Sequence, residues 1–196
     1  MMGLLVAIMA GGIGPRFSAL HAFKPSTSKP EIPEDWITES ITQAQTTSES
    51  VFLPWVAERI QVEWLDSKDD RFGITRFEEG PAELVRRRRL RLDPGMVTIA
   101  LHPALEADDL LYKHTFVHEF LHACGLISHS ENHENLTRLV APMPSISQSP
   151  LLRMLRDGML EESSIENWEC KKCGYSWERK TVRRPKRCLK CARPLE

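Results

Sequence analysis

HEFLHACGLISHSENH, residues 118–133, packs four histidines, two glutamates and a cysteine into one short stretch. His118 and His122 are four apart, which on a helix places them on one face a turn from each other, close enough to share one ion. With Glu119 beside the first, they form H-E-x-x-H, in which two neutral imidazoles bind zinc and the carboxylate acts as base toward a water. The surrounding ADDLLYKHTFVHEFLHACGLI, residues 107–127, reads as a helix that is apolar over most of its circumference, through Leu110, Leu111, Phe116, Val117, Phe120, Leu121 and Leu126. Asp108 and Asp109 stand near its start. A helix of this kind crosses a core, where two histidines and a carboxylate each need a partner and a zinc ion supplies one for all three.

A catalytic zinc takes three protein ligands and keeps one open position. His114 shares the helix face but lies two turns from His122, about 11 Å along the axis, too far for bonds of about 2.1 Å to a common ion. After Gly125 the chain can turn, and SHSENHENLTRLV reads as the start of a second helix with Ser128 and Glu131 as a capping box. His129, His133, Leu136 and Val140 then fall on one inward face. His129 is the preferred third ligand, because a sharp return would bring the first turn of the new helix back over His118 and His122; His133, a turn deeper, is the alternative.

Four cysteines make the second metal signal. Cys170, Cys173, Cys188 and Cys191 form two C-x-x-C knuckles fourteen residues apart in WECKKCGYSWERKTVRRPKRCLKCARPLE, the spacing of a tetrahedral zinc site, with Gly174 allowing a tight fold behind the first knuckle. So short a module cannot build a sufficient core, and the metal should supply most of its folding energy. Cys124 has no partner in this pattern and reads as a small core residue.

The segment MVTIALHPALEADDLLYKHTFVHEFLHACG, with β-rich sequence before it, a His-led helix after it and a terminal zinc ribbon, resembles the SprT or Spartan-type metalloproteases. The resemblance spans residues 51–196 and rests on HExxH and the ribbon occurring together. It implies a small zincin-like α+β domain of antiparallel strands followed by the HExxH helix and a second helix. It further implies a catalytic and a structural Zn2+, and protein substrates attached to or crosslinked on DNA. His118, Glu119 and His122 match the family's motif. The family's aromatic residue four after its third histidine is absent in both registers, since His129 is followed by His133 and His133 by Thr137. Metzincins are the nearest competitor: HEFLHACGLISH is similar to their HExxHxxGxxH, with Met143 as a possible Met-turn, but His129 comes one residue late.

The net charge of −1 conceals two opposite halves. From Cys170 onward ten Lys or Arg stand against two acidic residues, a net of +8, while residues 1–169 carry 16 basic against 25 acidic residues, a net of −9. Arg179, Lys180, Arg183, Arg184, Lys186 and Arg187 between the knuckles, beside Tyr175 and Trp177, suit phosphate tracking and base stacking on DNA of either strandedness, with little sequence preference.

Residues 55–101 alternate in the manner of strands, RIQVEW, RFGIT, LVRRRRLRL and MVTIAL, broken by SKDD, EEGP and LDPG turns. Arginines 86–89 and 91 would then line a strand face, as a solvated edge or a basic track. The expected organisation is a flexible lead-in over 1–50, a protease domain over 51–145, an amphipathic helix and linker over 146–168, and the ribbon over 169–196. LLVAIMA, residues 4–10, is a poor secretion signal and too short to span a membrane. AGGIGPRFSAL, residues 10–20, resembles the nucleotide-binding opening of sugar-nucleotide pyrophosphorylases, although Pro15 replaces the usual threonine and no strand-helix alternation follows. The expectation is a cytoplasmic zinc endopeptidase, nucleoid-associated or nuclear, with no membrane partner. The alternatives are a non-enzymatic zinc protein that binds nucleic acid, or a metzincin-like protease unrelated to DNA.

Overall fold

Val97–Leu101 (β3) is the most apolar strand and lies at the centre of a three-stranded sheet. Ile60–Trp64 (β1) pairs parallel to it, with Val62 opposite Ile99, and Gly73–Phe77 (β2) pairs antiparallel, with Thr75 opposite the same Ile99. The computed structural model describes residues 18–161 and 163–195; LLVAIMA and the AGGIGPRF stretch lie outside the described residues. The fold is α+β. The helices are Glu34–Ala44 (α1), the short Val56–Arg59 (α2), Pro81–Leu90 (α3), Asp109–Ala123 (α4), Glu131–Val140 (α5) and Pro150–Glu161 (α6). A two-stranded ribbon of Asn167–Glu169 (β4) and Ser176–Glu178 (β5) follows.

The expectation of antiparallel strands is corrected at the β1–β3 pair, and the cause is α3. PAELVRRRRL is a helix, not a strand: Gly80 precedes Pro81 at its first turn, Glu83 lies in that turn, and Arg87, Arg88 and Arg89 close the last. Parallel pairing needs a crossover of a dozen or more residues, and β2 with α3 provides it, so β3 inserts between the two earlier strands.

Residues 24–50 are not a bare lead-in. α1 packs on α4 and α5, Trp36 meets Tyr112 edge to face at 5.4 Å, and Lys113 bonds Glu39 at 2.7 Å. The Trp64 indole N–H donates to the Thr27 carbonyl at 2.9 Å. The chain divides into two compact units, up to Leu151 and from Leu152 onward, so the division falls inside α6 rather than at the expected boundaries near 145 and 168.

Candidate metal centres

α4 carries the motif because its start is firmly capped. The buried Asp108 accepts from Leu111 N–H at 3.1 Å, and its other oxygen accepts from Leu151 N–H at 3.2 Å and from the Ser149 hydroxyl. One carboxylate thus satisfies donors at the openings of α4 and α6. α4 ends at Gly125, whose φ of +111° closes a Schellman turn: Gly125 N–H donates to the His122 carbonyl at 2.9 Å and Leu126 N–H to the Leu121 carbonyl at 3.2 Å. A side chain at Gly125 would lie 3.1 Å from the Val51 backbone nitrogen. The sharp return brings His129 back to the helix.

His129 Nε2 lies 3.0 Å from His118 Nε2 and 3.2 Å from His122 Nε2. The His122 Nδ1–H donates to the Leu126 carbonyl at 2.6 Å, so its Nε2 is a bare lone pair, and a single proton on His129 cannot satisfy both neighbours. Nitrogens on a tetrahedral zinc with bonds of about 2.1 Å are about 3.4 Å apart, close to what is found. His133 is the other candidate, and His118, His122 and His133 each present a ring nitrogen within 4.8 Å of the others. This histidine group could hold a metal ion.

His133 is fully buried and opens α5 differently from expectation. Ser130, not Ser128, is the cap, its hydroxyl accepting from His133 N–H at 3.2 Å, so His129 precedes the helix rather than sitting in its first turn. His133 Nε2–H donates to the His118 carbonyl at 3.1 Å, and its Nδ1 is buried without a partner. Its ring stacks on that of His122, with centroids 4.2 Å apart and planes 16° from parallel. His114 turns to a structural task, its Nδ1–H donating to the Ala141 carbonyl at 2.7 Å.

Glu119 is 4 % exposed and held by β2. The Thr75 hydroxyl lies 2.9 Å from Glu119 Oε2 and 2.8 Å from its carbonyl oxygen. Gly73 makes the approach possible, since a methyl group there would lie 2.8 Å from Thr115 Cγ2 and 2.9 Å from Glu119 Cγ. Burial pushes the Glu119 carboxyl up to about 7, against the opposing pull of the Thr75 hydrogen bond. Burial likewise pushes His122 down to about 4 and His133 to about 3, and holds His118 far below its ordinary range, so all three rings are neutral and ready to ligate at pH 7. Thr75 and Gly73 carried no signal in the sequence beyond strand alternation, because their roles depend on how β2 meets α4.

The four cysteines converge in the second unit and could hold another metal ion. Cys170 Sγ is 3.8 Å from Cys191 Sγ and Cys173 Sγ is 3.7 Å from Cys188 Sγ; thiolates about 2.3 Å from a tetrahedral zinc are about 3.8 Å apart. The backbone N–H groups of Lys190 and Cys191 point at Cys188 Sγ from 3.3 and 3.5 Å. Both knuckles turn through positive φ just after their second cysteine, at Gly174 (68°) and Ala192 (56°). Cys124 is buried in the first unit, its thiol pushed well up by burial.

The basic residues of the ribbon divide by what they touch. Arg179 lies over the Trp168 ring at 5.2 Å and donates to the Thr181, Ile165 and Val182 carbonyls, so its guanidinium is committed to the ribbon itself. Arg187 donates to the Ala192 carbonyl, and Lys180 pairs with Glu178 at 3.3 Å. Arg183, Arg184 and Lys186 are exposed. Tyr175 and Trp177 stack at 5.7 Å, with Lys190 over Tyr175 at 5.6 Å.

No protein-family model, curated protein or solved structure matches the chain. No described helix is long and apolar enough to cross a membrane.

Proposed function

We propose that this chain is a zinc-dependent endopeptidase of SprT or Spartan-like, zincin type, tethered to DNA through its ribbon and acting on DNA-associated or DNA-crosslinked proteins. The observation that carries the catalytic part is the meeting of three imidazole Nε2 atoms beside a buried carboxylate braced by another element. His118, His122 and His129 would hold the ion. His129 is favoured over His133 because its Nε2 meets those of His118 and His122 at 3.0 and 3.2 Å, whereas the His133 Nε2–H is committed to the His118 carbonyl.

A zinc ion there supplies Lewis acidity toward a water and a scissile carbonyl. Glu119 Oε2 is occupied by Thr75, which leaves Oε1 to take a proton from the attacking water and later deliver it to the departing amide nitrogen. β2 is an edge strand of the three-stranded sheet and packs against α4, so its outer edge is the place where an extended peptide would pair next to Glu119. The ribbon's net charge and its exposed Arg183, Arg184 and Lys186 support the tether.

Glu119→Gln should keep its zinc and lose hydrolysis of casein by at least about a hundredfold, the range ascribed to removing a general base. Full cleavage by that variant refutes the mechanism. A second reading, a metzincin-like protease unrelated to DNA, is favoured by the Gly125 turn that delivers His129 directly after the helix. The two readings part on DNA: stimulation of casein cleavage by added single- or double-stranded DNA supports the tethered enzyme, and indifference to DNA supports the metzincin-like one.

A further inference from the structure

Beyond the last turn of α4, three successive carbonyl oxygens are taken by donors from three places. Phe52 N–H donates to the Cys124 carbonyl at 2.9 Å, Arg88 Nε–H to the Gly125 carbonyl at 3.0 Å, and His122 Nδ1–H to the Leu126 carbonyl at 2.6 Å. The first donor is backbone, which almost any residue at position 52 would supply, and the third belongs to a ligand candidate. The second alone is a side chain from a separate element. A guanidinium suits this place, where the carbonyl end of a helix carries the negative pole of its dipole.

α3 has little else to hold. None of its residues is buried, and Val85 on its outer side is 60 % exposed. Arg87, next in the chain, fixes the helix at its base through Glu79 at 2.8 Å, Glu83 at 2.9 Å and the Asp93 carbonyl at 3.0 Å. Arg88 therefore reaches from an anchored helix to the glycine at which the chain reverses toward His129. Three residues separate that glycine from the histidine: Leu126 is buried, but Ile127 is only half-buried and Ser128 is exposed, so the last two steps to His129 are not held in the core.

We propose that Arg88 is a positioning residue for the third metal ligand: by holding the Gly125 carbonyl, it fixes the turn from which His129 meets His118 and His122. This rests on reading the three histidines as a metal site. A histidine that finds its place only part of the time weakens apparent affinity by that fraction, and loss of groups that orient metal ligands costs roughly 10- to 100-fold in metal affinity.

Cobalt(II) titration of the full chain separates the two centres, because thiolate ligands give an intense charge-transfer absorption that an all-nitrogen site lacks. Arg88→Ala should weaken cobalt binding at the histidine site by roughly 10- to 100-fold and leave the thiolate signal unchanged. Arg88→Lys should recover part of the loss, and Arg89→Ala, on the outer face of the same helix, should bind as wild type does. Wild-type affinity in Arg88→Ala, or an equal loss in Arg89→Ala, overturns the proposal. If wild type takes no cobalt at the histidines, the metal reading fails by itself, and amide hydrogen exchange of the metal-free protein then decides whether Arg88 holds the turn. Faster exchange over residues 125–130 in Arg88→Ala than in Arg89→Ala is the expected result; equal rates overturn it.

Discussion

Gly73 shows how much of a site can hang on a missing side chain. A Cβ there would meet Thr115 and Glu119 at under 3 Å, and both neighbours are buried in α4, so β2 would have to move away. Gly73→Ala should therefore destabilise the protein by about 1–3 kcal/mol, the usual cost of overpacking, and, on the proposed peptidase reading, slow hydrolysis by drawing Thr75 off Glu119. Unchanged thermal unfolding and activity would show that the strand has room to yield. Ala192 is the opposite case. It holds a left-handed φ of 56° where the other knuckle has Gly174, a conformation costing a non-glycine residue about 1 kcal/mol. Ala192→Gly should tighten zinc binding by the ribbon about fivefold, measured by competition with a chelator; weaker binding would contradict this.

At the scale of elements, legibility followed local chemistry. RIQVEW and RFGIT lie over β1 and β2 as short segments of mixed apolar and polar residues, MVTIAL became β3 as a short apolar, β-branched run buried on both faces, and the HExxH helix fell where its apolar residues and Asp108 placed it. α3 was hidden because consecutive arginines leave no hydrophobic period to read. Gly80-Pro81 followed by Glu83 was the available signal, outweighed by the strand-like run around it. Strand order was not legible, since it depends on what packs over the sheet rather than on neighbours in sequence. The candidate site was half visible: His118, Glu119 and His122 come from spacing, whereas the choice between His129 and His133 turns on the Gly125 reversal, the Ser130 cap and the hydrogen bond that commits His133 Nε2 to the His118 carbonyl. Asp108 joins two elements through one buried carboxylate. Asp108→Ala strands donors at the openings of α4 and α6 and should cost about 2–4 kcal/mol in urea unfolding; a change under about 0.5 kcal/mol, typical of a surface site, would deny it that role.

Across the whole molecule, five of the seven histidines, His102, His114, His118, His122 and His133, are held below their ordinary value of 6.5, with burial the largest cause for each. Unfolded, they take up protons as pH drops below 6.5, while the folded chain resists, so this stability is present above 6.5 and lost on acidification. Glu119 acts in the opposite sense, holding its proton up to about 7 when folded, but it is one group against five. The urea midpoint of metal-free protein should fall steadily from pH 7 to pH 5; a flat or rising profile would contradict the neutral, buried state of these rings. The two halves of the chain carry opposite net charge and separate metal groups, so removing one metal should leave the other in place.

The most direct measurement is zinc content per chain in wild type, His129→Ala and His133→Ala, purified in parallel. Two zincs in wild type, one in His129→Ala and two in His133→Ala is the predicted result. A single zinc in wild type, or two retained in His129→Ala, would contradict the claim that His118, His122 and His129 form a metal centre beside Glu119.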